Sequence, residues 1–191
     1  MKHCFLLRAR HGFAFGDVVL ATSLARDIHL AYPGQYRLTV DTHFTPVWKN
    51  NPHVEPANYT KDHQRVDLAY NAGIASSKRG NRHHFLSWFH REFSEKTGLR
   101  VPVTLPKGDL HLDGEEEKPL IEGRYWIIMA GGKKDMTVKH WGKERYQELV
   151  DRLAPQGVRF VQCGAVHQNH VHQPLDNVLD ALGKTEDLRR F

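Results

Sequence analysis

Two short stretches of this chain carry residue types able to do chemistry. In "FAFGDVVLATSLARD" a glycine, Gly16, precedes an anion, Asp17, at the start of an apolar-periodic run. In "MAGGKKDMTVKHWGKERY" a glycine pair, Gly131 and Gly132, is followed by Lys133, Lys134 and Lys139. A carboxylate held beside a hydroxyl can take its proton as the oxygen attacks another centre. Glycines and lysines ahead of a helix can approach and neutralise a diphosphate. Each stretch also has a plainer reading, Asp17 as a helix cap and the lysine loop as a solvated basic turn.

The first stretch only imitates a phosphate loop. A dinucleotide loop needs G-x-G-x-x-G, whereas Gly12 and Gly16 have the wrong spacing, and neither stretch fits G-x-x-x-x-G-K-[ST]. The missing fingerprint counts against a nicotinamide-dependent dehydrogenase. A carboxylate at a helix start is favoured by the helix dipole and repels phosphate. The expected anion site is therefore the second stretch, with Asp17 facing it across a cleft.

These residues need elements to hold them. "HCFLLRA" (His3–Ala9) reads as a buried first strand. Val18, Val19, Leu20, Leu24, Ile28 and Leu30 recur at helical spacing, which predicts a helix over 17–32, ended by Pro33-Gly34. "YRLTVDT" is a second strand, so the three form a βαβ unit with parallel strands and a right-handed crossover. A short helix in "FTPVWKNNPHV" and a third strand in "RVDLAYNA" follow. A helix in "NRHHFLSWFHREFSEKTGL" is closed by Gly98, with Trp88, Phe89 and Phe93 expected in the core. Periodicity is lost from Val101 to Gly123, then restarts as strand "YWIIMAG", loop "GKKDMTVKHWG", helix "KERYQELVDRLAPQG" and strand "VRFVQCGA". Thr185 and the acids after it look like the cap and first turn of another helix. The expected organisation is an α/β domain over 1–105, a linker over 106–123 and the start of a second α/β domain over 124–191. Trp141 is expected to pack beneath the loop and fix Lys139.

The chain has 191 residues, 26% charged and 40% hydrophobic, as expected of a soluble globular protein. It shows no secretory leader and no apolar run of the ~20 residues that span a bilayer. Cys4 and Cys163 fall in apolar strands, which predicts buried free thiols and a cytoplasmic address. The net charge of +5 accompanies no basic run with interleaved aromatics, so a phosphorylated small molecule is a better partner than nucleic acid. Among the 14 histidines, "HQNHVHQ" (His167, His170, His172) lacks a converging Cys or carboxylate partner, so no metal is expected there or elsewhere. Arg82 and His84 are weak acceptor-side candidates beside Gly16, with a solvated face as their alternative.

"GDVVLATSLARDIHLAYPGQYRLTVDT…NNPHV" resembles the N-terminal signature of the family 9 glycosyltransferases, the heptosyltransferase-like group. "IIMAGGKKDMTVKHWGKERYQELVDRLAPQGVRFVQCGA…LGKTEDLRRF" is similar to the start of that family's C-terminal domain. The resemblance covers most of residues 5–54 and 125–191. It implies two Rossmann-like units in a GT-B-like arrangement, the second incomplete. The activity it implies is inverting, metal-independent transfer of a heptose-like sugar from a donor such as ADP-heptose to an acceptor hydroxyl. That acceptor would be a glycan, a lipid-linked glycan as in lipopolysaccharide biosynthesis, or a protein, with peripheral membrane contact left open. No cofactor is implied beyond the nucleotide sugar. Asp17 falls on the family's G-D aspartate, the general base. Lys139 falls on the lysine of K-x-W that contacts the donor's phosphates, and Gly131 and Gly132 lie in the loop that approaches the nucleotide. The Gly-Gly and the length of "GGKKDMTVK" depart from the family pattern, and its D-x-G-x-x-H element would lie beyond Phe191. The alternative is a truncated or degenerate non-catalytic module that binds a nucleotide or a protein.

Overall fold

The computed structural model describes residues 3–9, 13–56, 63–69, 80, 83–135, 140–166, 169–184 and 189. The chain forms two compact units, Met1–Glu115 and Glu116–Phe191. Among the described residues no helix is long and apolar enough to cross a membrane.

In the first unit, β1 (His3–Ala9), β2 (Tyr36–Thr42) and β3 (His63–Asp67) form a parallel sheet in the order β2-β1-β3. The register runs from His3 opposite Tyr36 and from Cys4 opposite His63. A sheet whose first strand lies in the middle has its switch point there, and α/β sites form outside the carboxyl end of such a strand. Helix α1 (Phe15–Ala31) follows β1, and its start therefore stands at that edge. Helix α2 (Phe85–Thr97) ends at Gly98, whose φ of 75° suits a residue without a Cβ. Phe5, Leu7, Leu24, Ile28, Phe89 and Phe93 are buried together in one core. Phe85, which the helical pattern counts as apolar-facing, is exposed, and the Trp88 ring instead carries the Arg91 guanidinium 5.1 Å from its centre.

α1 is not half-exposed, as its apolar stripe predicts. Every residue from Ala21 to Ile28 is buried, including Thr22, Ser23, Arg26 and Asp27, while Leu30 is exposed. The cause is the irregular segment 101–111, which crosses the polar side of α1 as a strap. Thr104 donates from its backbone and hydroxyl to the Asp27 carboxylate, and Asp109 N–H donates to Thr22 Oγ1 at 2.7 Å. Arg26 donates to Leu105 O at 2.9 Å and to Lys107 O at 3.4 Å. Gly108 passes so close that a Cβ there would lie 2.6 Å from Val19 O. The first unit thus extends ten residues past the predicted boundary at 105, into the stretch read as linker.

In the second unit, β4 (Trp126–Ile128), β6 (Phe160–Gln162) and β8 (Leu179–Asp180) form a parallel sheet in that order. Helix α3 (Lys143–Leu153) packs Val150 against Ile128, Ala130 and Phe160. β5 (Gly131–Lys133) and β7 (His170–His172) form a separate antiparallel ladder. The predicted loop after β4 therefore opens as a strand. Trp126 and Ile127 on the edge strand β4 are exposed. Neither cysteine is in a disulfide, and only Cys163 is buried; Cys4 is half-buried, correcting the expectation for it.

Candidate functional site

The carboxyl edge of the first sheet is polar and acidic. Arg8, near the end of β1, sits in register between Asp41 of β2 and Asp67 of β3. It donates from Nε to Asp41 at 3.0 Å and from Nη1 to Asp67 at 3.1 Å. Its charge is thereby matched within the sheet, which leaves little attraction for phosphate here. No local motif announced this pairing; only the strand register brings the three residues together.

Asp17 lies in the first turn of α1 at this same edge and is partly exposed. Its Oδ2 accepts the Ala14 N–H at 2.7 Å, and its own N–H donates to Ala14 O at 3.1 Å. The carboxylate thus makes the return bond of a capping box, from the third helical position to the N–H of the residue before the helix. Its partial exposure lets a substrate approach the carboxylate from solvent. Gly16 is exposed, and nothing lies within 4 Å of where a Cβ would stand, so its lack of a side chain serves no internal packing. His84 is the N-cap of α2, its Nδ1 accepting Leu86 N–H at 3.2 Å, which accounts for this residue structurally. Arg82 lies outside the described residues, as does Lys139 in the second unit.

The second unit holds a cavity of about 240 Å³ at the amino end of α3, lined among others by Ala130, Gly131, His140, Gly142, Lys143 and Tyr146. This is smaller than the ~300–1,000 Å³ of sites that engulf a whole ligand, and suits a phosphate-sized group. Gly142 is the residue before the helix, with φ of 100°, a conformation open chiefly to glycine. The first-turn amides of α3 and the Lys143 charge favour an anion, whereas Glu144 in the same turn opposes one. Among the described residues, the buried atoms His140 Nε2 and His172 Nδ1 have no hydrogen-bond partner. Burial holds the His172 imidazole below its ordinary value, and His170 and His140 add to the effect.

The structure gathers Gly131 and His140 at this cavity but gives the glycines an internal reason as well. A Cβ on Gly131 would lie 2.0 Å from Val171 O, so the close approach it permits is to β7. A Cβ on Gly132 would come 3.2 Å from His140 Nε2. Lys133 and Lys134 are exposed, and Lys134 N–H extends the ladder to Asn169 O at 3.0 Å. Trp141 is 47% exposed, and among the described residues its ring meets that of Tyr146 edge-on at 5.2 Å; part of the loop it is expected to underlie, 136–139, lies outside the described residues. His140 and Gly142 carry no motif that marks them in the sequence beyond the "HWG" that precedes a helix.

No known family model matches the sequence, and no curated protein does. Solved structures do match. A family 9 glycosyl transferase from Veillonella parvula DSM 2008 superposes with a TM-score of 0.68 at 13% identity, over 97% of this chain and 71% of that one. ADP-heptose LPS heptosyltransferase II of E. coli gives 0.60 at 15% identity, over 100% and 75%. E. coli heptosyltransferase WaaC, solved with ADP, gives 0.55 at 18% identity, over 86% and 67%. The chain also covers 48% of the dodecameric iron-containing glycosyltransferase TibC of E. coli, with a TM-score of 0.62 at 14% identity. At these identities what is shared is the architecture: this chain has the α/β fold of the family 9 glycosyltransferases.

Proposed function

We propose that the chain is a glycosyltransferase acting on a nucleotide-diphosphate sugar. One observation carries the reading: in a fold shared with sugar transferases, a partly exposed carboxylate, Asp17, stands at the carboxyl edge of the central strand β1. In this reading Asp17 accepts the proton of an acceptor hydroxyl. The acceptor oxygen bonds to the anomeric carbon from the face opposite the leaving group, and the carbon–oxygen bond to the diphosphate breaks, with inversion. The departing anion is stabilised by the first-turn amides of α3, Lys143 and the lysines Lys133, Lys134 and Lys139, so no metal is invoked. Neighbours bind ADP, ADP-2-deoxy-2-fluoro heptose and ADP-D-beta-D-heptose, which supports an ADP-linked, heptose-like donor. The acceptor class is a glycan, lipid-linked glycan or protein. The setting proposed with this activity is cytoplasmic, where a buried thiol such as Cys163 stays reduced.

The cap bond from Ala14 supports a second reading, in which Asp17 only closes its helix and the chain is a non-catalytic nucleotide-binding module. Calorimetry with ADP and a transfer assay with ADP-heptose over a panel of glycan acceptors separate the two. The proposal expects ADP binding, transfer, and loss of transfer by about 10²-fold or more in Asp17→Asn with ADP affinity unchanged. ADP binding with no transfer supports the second reading. Turnover within twofold of the parent in Asp17→Asn removes the residue from the mechanism, and absence of ADP binding overturns both.

A further inference from the structure

Away from both sites discussed above, the first unit gathers His53, Asp109 and His111. One ligand atom from each lies within 4.8 Å of the others. His111 Nε2 is 2.8 Å from Asp109 Oδ2, and His53 Nε2 is 3.7 Å from the same oxygen. Metal–ligand bonds of about 2.0–2.1 Å in a tetrahedron put donor atoms ~3.3–3.4 Å apart, midway between these two distances. The geometry points to a binding site for a divalent transition ion of the zinc class, with His53, Asp109 and His111 as its protein ligands and a structural rather than transfer role.

Three features around the cluster fit that reading. Asp109 divides its oxygens: Oδ1 lies 3.8 Å from Arg26 Nη1, and Oδ2 meets the two imidazoles. The arginine therefore orients the carboxylate from behind, as outer partners of metal ligands do. The backbone on both sides is pinned. His53 N–H donates to Asn51 Oδ1 at 2.9 Å, and Asn51 Nδ2 donates to Asp109 O at 3.4 Å. A further imidazole, His29, has its ring centre 5.4 Å from that of His53. Its Nδ1 donates to Ala25 O at 3.1 Å, which holds this ring beside the cluster. The rings of His53 and His111 are about a quarter to a third exposed, so an ion can reach them.

The proposed ion joins the turn after β2 to the strap, and so fastens the strap to the unit. Two imidazoles and one carboxylate select zinc, cobalt or iron over magnesium. The test uses the whole chain, freed of metal with a chelator and titrated with Co²⁺, Zn²⁺ or Mg²⁺. The expected result is visible absorption from one equivalent of Co²⁺, displaced by Zn²⁺ and not by Mg²⁺, and a rise of several degrees in the melting midpoint with Zn²⁺. His53→Gln/His111→Gln weakens Co²⁺ binding at least tenfold, while His170→Gln/His172→Gln keeps it. In the unsubstituted protein, Co²⁺ broadens the ring proton signals of His53 and His111 before those of other histidines, a readout independent of whether the variants fold. Unchanged binding in the first double variant, loss in the second, or first broadening elsewhere overturns the site.

Discussion

The Asp27→Asn substitution tests the strap most directly. The Asp27 side chain is fully buried and accepts from Arg26 Nε at 2.9 Å, His90 Nε2 at 2.8 Å, and both the hydroxyl and the N–H of Thr104. Asparagine keeps the shape but turns one oxygen into a donor that faces donors. It also removes the negative charge from beside the nearly buried Arg26 and from His90, which contacts it. Breaking such a buried charge pair costs about 3–5 kcal/mol. Against a typical stability of about 5–15 kcal/mol, that brings the first unit close to unfolding. Thr104→Val, which removes one hydroxyl donor to a charged group, should cost about 1.5–3 kcal/mol, so the two variants should rank in that order. Urea unfolding followed by hydrogen exchange in peptides spanning 101–109 and α1 reads both effects locally. An Asp27→Asn protein that unfolds within 1 kcal/mol of the parent, with strap amides still protected, would refute the assignment of the network as the strap's anchor.

Burial raises the Asp27 carboxyl, but the bonds from Arg26, Thr104 and His90 outweigh it and hold it below its ordinary value of 3.8. Its stabilisation is therefore complete above about pH 3.8 and lost as pH falls through the folded value, so acid melts should show a steep limb that Asp27→Asn abolishes. His172 is depressed from 6.5, so the unfolded chain takes up that proton first and stability of the second unit should fall as pH drops below about 6.5; His172→Gln should flatten that slope in melting curves at pH 7.5 and 5.5. Gly131→Ala should break the β5–β7 ladder, seen as lost amide protection at 131–133 and 170–172, because its Cβ meets Val171 O. Gly16→Ala should leave the melting temperature unchanged or raise it, by up to about 1 kcal/mol of helix propensity, while lowering transfer if a substrate uses that open space.

What the sequence disclosed was local. The limits of β1 and β2 follow from continuous apolar and β-branched runs, and Gly98 marks the end of α2 because a left-handed residue is needed there. Asp17 was legible as a carboxylate at a helix start, and its cap bond was weighed from the same letters. Hidden features depend on partners far along the chain. The polar residues Thr22, Arg26 and Asp27 look solvated until 101–111 is laid over them, and that stretch reads as linker because it has no period of its own. "GGKK" looks like a phosphate loop, yet its pairing with β7 becomes visible only through Gly131's approach to Val171. The Arg8 clamp is likewise a product of register, and the 3-strand order that makes it cannot be read from spacing.

The strap also sets an order of events. Its bonds close spans of 77 to 87 residues, whereas β1, α1 and β2 assemble from neighbours. Closing such long loops is entropically costly until many contacts form at once, so the sheet and α1 should assemble first and the strap dock last. During synthesis Asp27 would then wait for Thr104, and Thr22 for Asp109, until those residues emerge. Contacts made after the barrier govern how fast a fold is lost more than how fast it is gained. Thr104 and Gly108 should accordingly act on the lifetime of the folded unit, as a latch does on a closed box.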